Sequence, residues 1–479
     1  MQKKFITNLA FLLFLNLLIK PFWLLGIDRT VQNVTGAEAY GQYYALFNFS
    51  FLFNILLDIG ITNFNNRNIS QNKHLLDKHL SGIILLRVLL AGIYLIISLA
   101  ASFIIGYNQT QIEFLMVLLL NQVLISFILY LRSNLAGLQF FKTDSIVSVL
   151  DRAIMILICA LLLWGNITSQ PFRIEWFIWA QTFAYILTVV FTLIILARKA
   201  TFRKLNWNPM FSLMILKQSY PFAVLILLMT FYNRIDSVMI ERFLSDGSRQ
   251  SGIYAQAYRI LDASNMMAYL FASLLLPMFS HMLKHKENIR DLLQLSYALI
   301  AVPAIIVAAV CIFYRNQIMA LLYYENVSES ATIFAILMTC FFAISTTYIF
   351  GTLLTANGNL KQLNIMAAAG MAFNIVMNLI LIPNLEATGA AIASLLTQFC
   401  TALIQVVLCY RIFKLVPDPK LIFKFLLFAI LVICSTWGLS NIHAPWAISM
   451  GIAVSFGVSI ALIFKLISIK SMIKIIKTG

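Results

Sequence analysis

The sequence predicts an all-α integral membrane protein of fourteen transmembrane helices, built as two six-helix pseudo-symmetric lobes followed by two C-terminal helices. Three observations predict it. The 479 residues are 61% hydrophobic and only 11% charged, where a soluble domain carries about 25% charged residues. Long apolar runs recur along the whole chain, each near the ~20 residues that cross a bilayer as a helix. Short motifs in the first half return in the same order in the second.

The runs fall at about 5–27, 40–62, 80–104, 112–131, 145–164, 174–197, 219–241, 252–278, 292–313, 329–354, 362–383, 388–410, 425–440 and 446–464. The first is too long for the apolar segment of a cleavable signal and lacks a small-residue cleavage site, so it reads as span 1. With the N-terminus inside, the 34 Lys and Arg divide into 24 in cytoplasmic segments, five in outside loops (Arg29, Arg173, Arg242, Arg249, Arg315) and five within spans (Lys20, Arg87, Arg152, Arg234, Arg259). That asymmetry is the positive-inside pattern, and an odd number of spans would spoil it. Both termini are therefore expected in the cytoplasm. The net charge of +16 is a topology signal and does not call for a nucleic-acid partner. The tail Lys465–Lys477 (KLISIKSMIKIIK) reads as a basic amphipathic segment on the anionic inner leaflet. The linker 198–209 (RKATFRKLNWNP) has a similar composition.

Gly41 after span 1 and Gly252 after span 7 each stand two residues before a Tyr, 211 residues apart. Lys142 between spans 4 and 5 and Lys361 between spans 10 and 11 stand 219 apart. The offsets suggest a repeat of six helices running parallel in the membrane, with substrate between the halves. The expected lobes are 1–200 and 201–415, with 416–479 as an appendage.

No cofactor is expected. The six cysteines lie in apolar runs without a C-x-x-C and read as small buried hydrophobes, not as a metal or disulfide framework. The five histidines fall in connecting loops. No phosphate-binding G-x-x-x-x-G-K-[ST] is present. The outside loops are short and no D-x-D occurs, so an enzyme is not expected.

Charges inside the spans carry the functional question, because each is costly at the bilayer centre. Arg234 and Asp236 in span 7 point about 200° apart on a helix and so need different partners. Asp236 has Arg259 of span 8 as its simplest partner. Lys20 in span 1, Arg234 and Arg259 are then net basic at an expected depth of about 8–12 Å below the outer surface. One reading of Lys20 is snorkelling to the headgroups. The other is a cationic lining for an anionic ligand, since Arg offers phosphate a fork of donors and Lys a point charge. Near the inside, Asp58, Arg87, Asp151 and Arg152 balance in charge. They read as ion pairs within a lobe or as an inner gate. Asn374 and Asn378 share a face of span 11 and suit either interhelical hydrogen bonding or sugar contact. Tyr40, Tyr43, Tyr44, Tyr323 and Tyr324 at span ends read as interfacial belts.

Several segments carry a family resemblance: Gly36–Tyr44 (GAEAYGQYY), Asn233–Asp236 (NRID), Gly252–Arg259 (GIYAQAYR), Asn378–Pro383 (NLILIP) and Gly389–Ser394 (GAAIAS). With fourteen helices, the chain resembles the polysaccharide-exporter branch of the multidrug/oligosaccharidyl-lipid/polysaccharide (MOP) exporter superfamily over essentially its whole length. The resemblance implies a Wzx-type flippase of the bacterial inner membrane, moving an undecaprenyl-pyrophosphate oligosaccharide such as an O-antigen or capsule unit. It also implies membrane lipids and the polymerase and glycosyltransferases of the same pathway as partners. Lys20, Arg234, Arg259, Asn374 and Asn378 become the expected substrate-binding set, with Asp236, Asp58, Arg87, Asp151 and Arg152 as ion pairs or gates. The alternative within the superfamily is an ion-coupled drug or small-cation antiporter. Many of those relatives carry a membrane-embedded acid in helix 1. Here span 1 carries Lys20, and its first acid, Asp28, is expected at the outer edge, which weighs against the antiporter.

Overall fold

A computed structural model describes residues 15–467 apart from 17, 63–64, 66–68, 70–74, 166, 168 and 199–208. The start of span 1, nearly all of the 198–209 linker and the tail beyond Ile467 lie outside the described residues. Among those described there are thirteen α-helices and no strand. Eleven helices are long and apolar enough to cross a membrane. The chain forms two compact units, Met1–Gly252 and Ile253–Gly479.

In the first unit a π-helical turn, Trp23–Asp28, leads into α1 (Arg29–Leu52). Then come α2 (Leu75–Ile105), α3 (Gln109–Gly137), α4 (Phe141–Trp164), α5 (Ile174–Ala197) and α6 (Pro209–Phe243), and α7 (Gly247–Lys284) begins. The second unit holds the rest of α7, then α8 (Arg290–Phe313), the short α9 (Arg315–Leu322), α10 (Val327–Ala356), α11 (Leu360–Ile412), α12 (Pro419–Ser440) and α13 (Trp446–Ile463).

Span 1 does not end at Ile27. The helical run passes through the π turn, where the Arg29 N–H reaches back to Leu24 O, and continues to Gly36. That residue, at φ 78°, takes a left-handed conformation that favours glycine. The Asp28-Arg29 pair looks like the end of a span. It is carried inside because the protein itself satisfies the acid: Asp28 is 2% exposed and accepts from Tyr40 Oη at 2.9 Å and Gln32 Nε2 at 3.4 Å. Lys20 therefore stands 15 residues before Thr35, about 22 Å along the helix and well beyond the expected depth of about 8–12 Å.

Span 2 also differs. α1 stops at Leu52 and gives way to a 3-10 turn at Asn54–Leu57. Asp58 then caps the next turn, accepting from the Gly60 and Thr62 N–H groups at 3.2 and 3.1 Å. A carboxylate at the N-terminus of a helical turn satisfies donors that have no partner within it.

Within the first unit Gly41 of α1 meets the start of α7. A Cβ at Gly41 would stand 1.8 Å from Ser248 O, and a Cβ at Gly252 would stand 1.9 Å from Ala37 O. Both are impossible contacts, so the two backbones approach only because neither residue has a side chain. Such small-residue contacts take over in a membrane, where lipid tails remove the hydrophobic drive between helices.

The α2–α3 turn is tied to the end of α6. The Arg242 guanidinium pairs with Glu241, donates to Gly106 O at 3.3 Å and lies 4.6 Å over the Tyr107 ring. Gln111 Nε2 donates to Glu241 at 2.8 Å. Burial, with the Glu241 carboxylate beside it, pushes the Tyr107 phenol above its usual pKa and keeps it protonated.

In the second unit α11 would be about 80 Å long as one helix, nearly three times the hydrocarbon core. It breaks at Glu386, φ 51°, so spans 11 and 12 join with almost no loop. α12 and α13 pack on α8 through Phe428, Val432 and Ile460 against Val302 and Ile306. Cys400 and Cys434 are exposed, unlike the four other cysteines. His281 belongs to the last turn of α7 and not to a loop.

Candidate functional site

The sequence places aromatic residues every fourth position along one face of α1: Tyr43, Phe47 and Phe51. A helix turns about 400° over four residues, so the three rings stack up one side. Their centroids stand 5.8 and 5.4 Å apart. Tyr43 meets Phe177 of α5 edge-on at 5.4 Å, and Phe177 stacks on Trp23 of the π turn at 5.6 Å. These spacings suit attractive ring pairs.

A guanidinium closes each end of this five-ring strip. Arg152 of α4 lies 5.3 Å over Trp23 and 5.9 Å over Tyr185. Arg234 of α6 lies 5.7 Å over Phe51 and donates to Asn48 Oδ1 at 3.4 Å. Cations over aromatic faces gain electrostatic attraction that increases as water is removed. Asn48 in turn donates to Ser237 Oγ at 2.8 Å, which fixes the α6 turn bearing Arg234 against α1. Phe47, Phe51 and Trp23 are half-buried, so the strip keeps accessible surface.

Lys20 belongs at the Arg152 end. The charges of Arg152, Arg132 and Asp151 act on it. Arg132 pairs with Asp144 at 2.8 Å, and Arg152 stands 3.8 Å from Asp151. Three cations against two carboxylates leave this end with one positive charge in excess.

Asp58 and Arg87 form an ion pair within the first unit. Arg87 also donates to Ser126 O and Oγ, both at 2.9 Å, and lies 4.8 Å over Tyr130. Asp236 is 1% exposed. Arg259, half-buried on α7, lies in the second unit. Asn374 and Asn378 are fully buried there, with Asn378 Nδ2 donating to Asn374 Oδ1 at 3.1 Å. Of the five tyrosines read as belts only Tyr324 is exposed. Tyr40, Tyr43, Tyr44 and Tyr323 are core residues with 4% exposure or less. Tyr40 bonds to Asp28, and Tyr323 donates to Gln256 O at 3.2 Å. Among the described residues no group of three or more His, Cys, Asp or Glu is placed to hold a metal ion.

Comparisons with known proteins agree with this architecture. The structure of the lipid II flippase MurJ in an inward closed conformation superposes with a TM-score of 0.73 at 16% identity, over 95% of this chain and 98% of that one. An inward-facing multidrug resistance MATE family transporter of the MOP superfamily gives 0.64 at 15% identity, over 82% and 96%. The MATE transporter VcmN of Vibrio cholerae in its bent form gives 0.54 at 14%, over 84% and 94%. No curated protein sequence matches significantly. The fold is thus the one shared by these MOP-superfamily transporters. The family model described as polysaccharide biosynthesis protein matches residues 7–283, more than half of the sequence, and the chain belongs to that family.

Proposed function

We propose that this protein is a flippase that moves an oligosaccharide repeat unit, carried on undecaprenyl pyrophosphate, from the inner to the outer leaflet by alternating access. The observation that carries the reading is the aromatic strip with Arg152 and Arg234 at its ends and Lys20 beside it. Guanidinium and ammonium groups complement a pyrophosphate. Half-buried rings offer flat apolar faces to the carbon faces of sugars. Family membership supports the pathway, and the superfamily fold supports the transport step.

In this reading the chain crosses the bacterial inner membrane fourteen times, with both termini in the cytoplasm. Two six-helix lobes and two added helices make up the count. Counting α11 as two crossings raises the eleven candidate spans to twelve, and the two runs on either side of Gly36 bring fourteen. The test is a flipping measurement in vesicles with a fluorescent undecaprenyl-pyrophosphate oligosaccharide. Arg152→Ala and Arg234→Ala should each slow transfer by about tenfold or more, the cost of one charge-assisted contact. Wild-type vesicles that flip no faster than empty ones would overturn the reading.

The buried Asp28 favours a second reading, that of an ion-coupled antiporter, because a carboxylate held inside helix 1 removes the objection that its expected position at the outer edge had raised. Cation-gradient-driven efflux of a dye, lost in Asp28→Asn while oligosaccharide transfer is absent from the wild type, would select it.

A further inference from the structure

The second unit contains a cavity of about 900 Å³ that none of the site residues above lines. It lies between α8, α10, the second half of α11 and α12. Its walls are almost wholly apolar, with Tyr297, Ile305, Phe342, Phe399 and Phe425 among them. On α10, α11 and α12 the lining residues run over twelve or thirteen positions, from Thr339 to Phe350, Phe399 to Arg411 and Leu421 to Ile433. That is about 16–18 Å of helix, close to one leaflet's share of a ~30 Å hydrocarbon core. The lining continues further along α8.

Polar groups gather at one end. Arg411 and Tyr410 come from the last turns of α11 and Gln294 from the first turns of α8, where Leu421 and Ile422 open α12. Arg411 is exposed, and among the described residues neither it nor Lys414, Lys420 or Lys424 makes a side-chain hydrogen bond or ion pair. The one acid of the α11–α12 connection, Asp418, accepts from the Lys420 and Leu421 N–H groups and caps α12.

We propose that this cavity binds an anionic glycerophospholipid from the leaflet facing the α11–α12 connection. The acyl chains fill the apolar slot and the phosphate meets Arg411. The charge arrangement favours an anionic head over a neutral one, because Arg411 lines the mouth and Lys414, Lys420 and Lys424 follow it along the α11–α12 connection and the start of α12, all without partners among the described residues. It favours a resident lipid over a transported one, because the charged group stands at one end only and the lining hydroxyl towards the other end, Thr339, donates within its own helix to Ala335 O at 2.9 Å, whereas a path across the membrane must accommodate a polar head throughout. The lipid would fill the space between α12 and the α10–α11 pair and so stabilise the second unit by mass action. This inference goes beyond the transport reading and does not depend on it.

The test uses purified full-length protein, delipidated and then supplied with phosphatidylglycerol or phosphatidylcholine, read by native mass spectrometry and thermal unfolding. Phosphatidylglycerol should bind as a discrete adduct and raise the Tm above the phosphatidylcholine value. Arg411→Glu should weaken that adduct by about tenfold or more, and Arg411→Gln by less. Ala429→Trp, which fills the slot from α12, should abolish it, and Lys142→Glu, in the first unit and outside the lining, should leave it intact. Equal binding of both lipids, or an unchanged adduct in the Arg411 and Ala429 variants, overturns the proposal. Binding of undecaprenyl phosphate in place of phosphatidylglycerol overturns it in favour of a groove for the substrate's own tail.

Discussion

Arg87 of α2 reaches across to Asp58, the residue that caps the turn after α1, and the carboxylate serves the ion pair and the cap at once. Removing either partner therefore has two effects. Arg87→Ala leaves the partly exposed Asp58 carboxylate without its cation, although water and the backbone N–H groups still reach it, and should cost roughly 1.5–3 kcal/mol of stability. Asp58→Asn should cost more, roughly 3–5 kcal/mol, because it leaves the buried Arg87 guanidinium without its carboxylate and an amide has one oxygen where Gly60 and Thr62 donate to two. The double variant should be less destabilised than the sum of the two, as contacting residues are coupled. Thermal unfolding of the purified variants measures all three, and strict additivity would show that the pair contributes nothing as a pair.

Gly41→Ala should be far more damaging than an alanine at Gly438, where nothing lies within 4 Å of the added carbon. At Gly41 the added methyl meets the Ser248 carbonyl, which is backbone and cannot turn aside. The expected result is loss of folded protein for Gly41→Ala and Gly252→Ala, and near-normal yield for Gly438→Ala, read by fluorescence-detected size exclusion.

Lys20 lies among Arg152, Arg132 and Asp151. Lys20→Arg should remain partly active and Lys20→Ala should lose most export. Lys20→Glu should be worst, because the new carboxylate would pair with Arg152 and take the place of the anion. Surface-polysaccharide export at matched expression separates them. Three variants with wild-type export would make Lys20 a bystander.

Asp236 and Arg234 should differ in kind. Asp236 is almost fully enclosed, so Asp236→Asn should lower the amount of folded protein. Arg234 sits on a ring and an amide, so Arg234→Ala should keep protein levels and lose export. Expression and export measured together decide the matter, and a reversed pattern would exchange the two roles.

Orientation is open to direct labelling. Single cysteines placed in the 411–424 connection should react with a membrane-impermeant maleimide only after the cells are opened. Reaction in intact cells would invert the assignment.

Much of this was legible in the sequence, and the exceptions have physical causes. The apolar runs mark most spans because bilayer thickness sets their length. The balance of Asp58, Arg87, Asp151 and Arg152 left pairing within a lobe or an inner gate open without choosing partners, and in the structure Arg87 pairs with Asp58. The depth of Lys20 was hidden because Asp28 and Arg29 look like a span end to any scale that scores residues singly. The acid is carried inside by Tyr40, twelve positions away. The aromatic strip was missed for a different reason. Tyrosines at span ends resemble belts, although the four-residue spacing from Tyr43 to Phe51 already put three rings on one helical face. Trp23, Phe177 and the two arginines join them only through tertiary packing.

The π turn at Trp23–Asp28 has a consequence for comparing this helix with others. Such a turn contains one residue more than an α turn, and one residue rotates all that precedes it by about 100°. If a relative lacks the bulge, a gapless alignment of the two helices slips by one position upstream of Trp23. The residue written beneath Lys20 would then face a different neighbour, however well the downstream residues match. Equivalence in this segment is settled by which side chain meets Arg152, and a deletion of one residue within the turn should swing Lys20 away from it while leaving Asp28 on Tyr40.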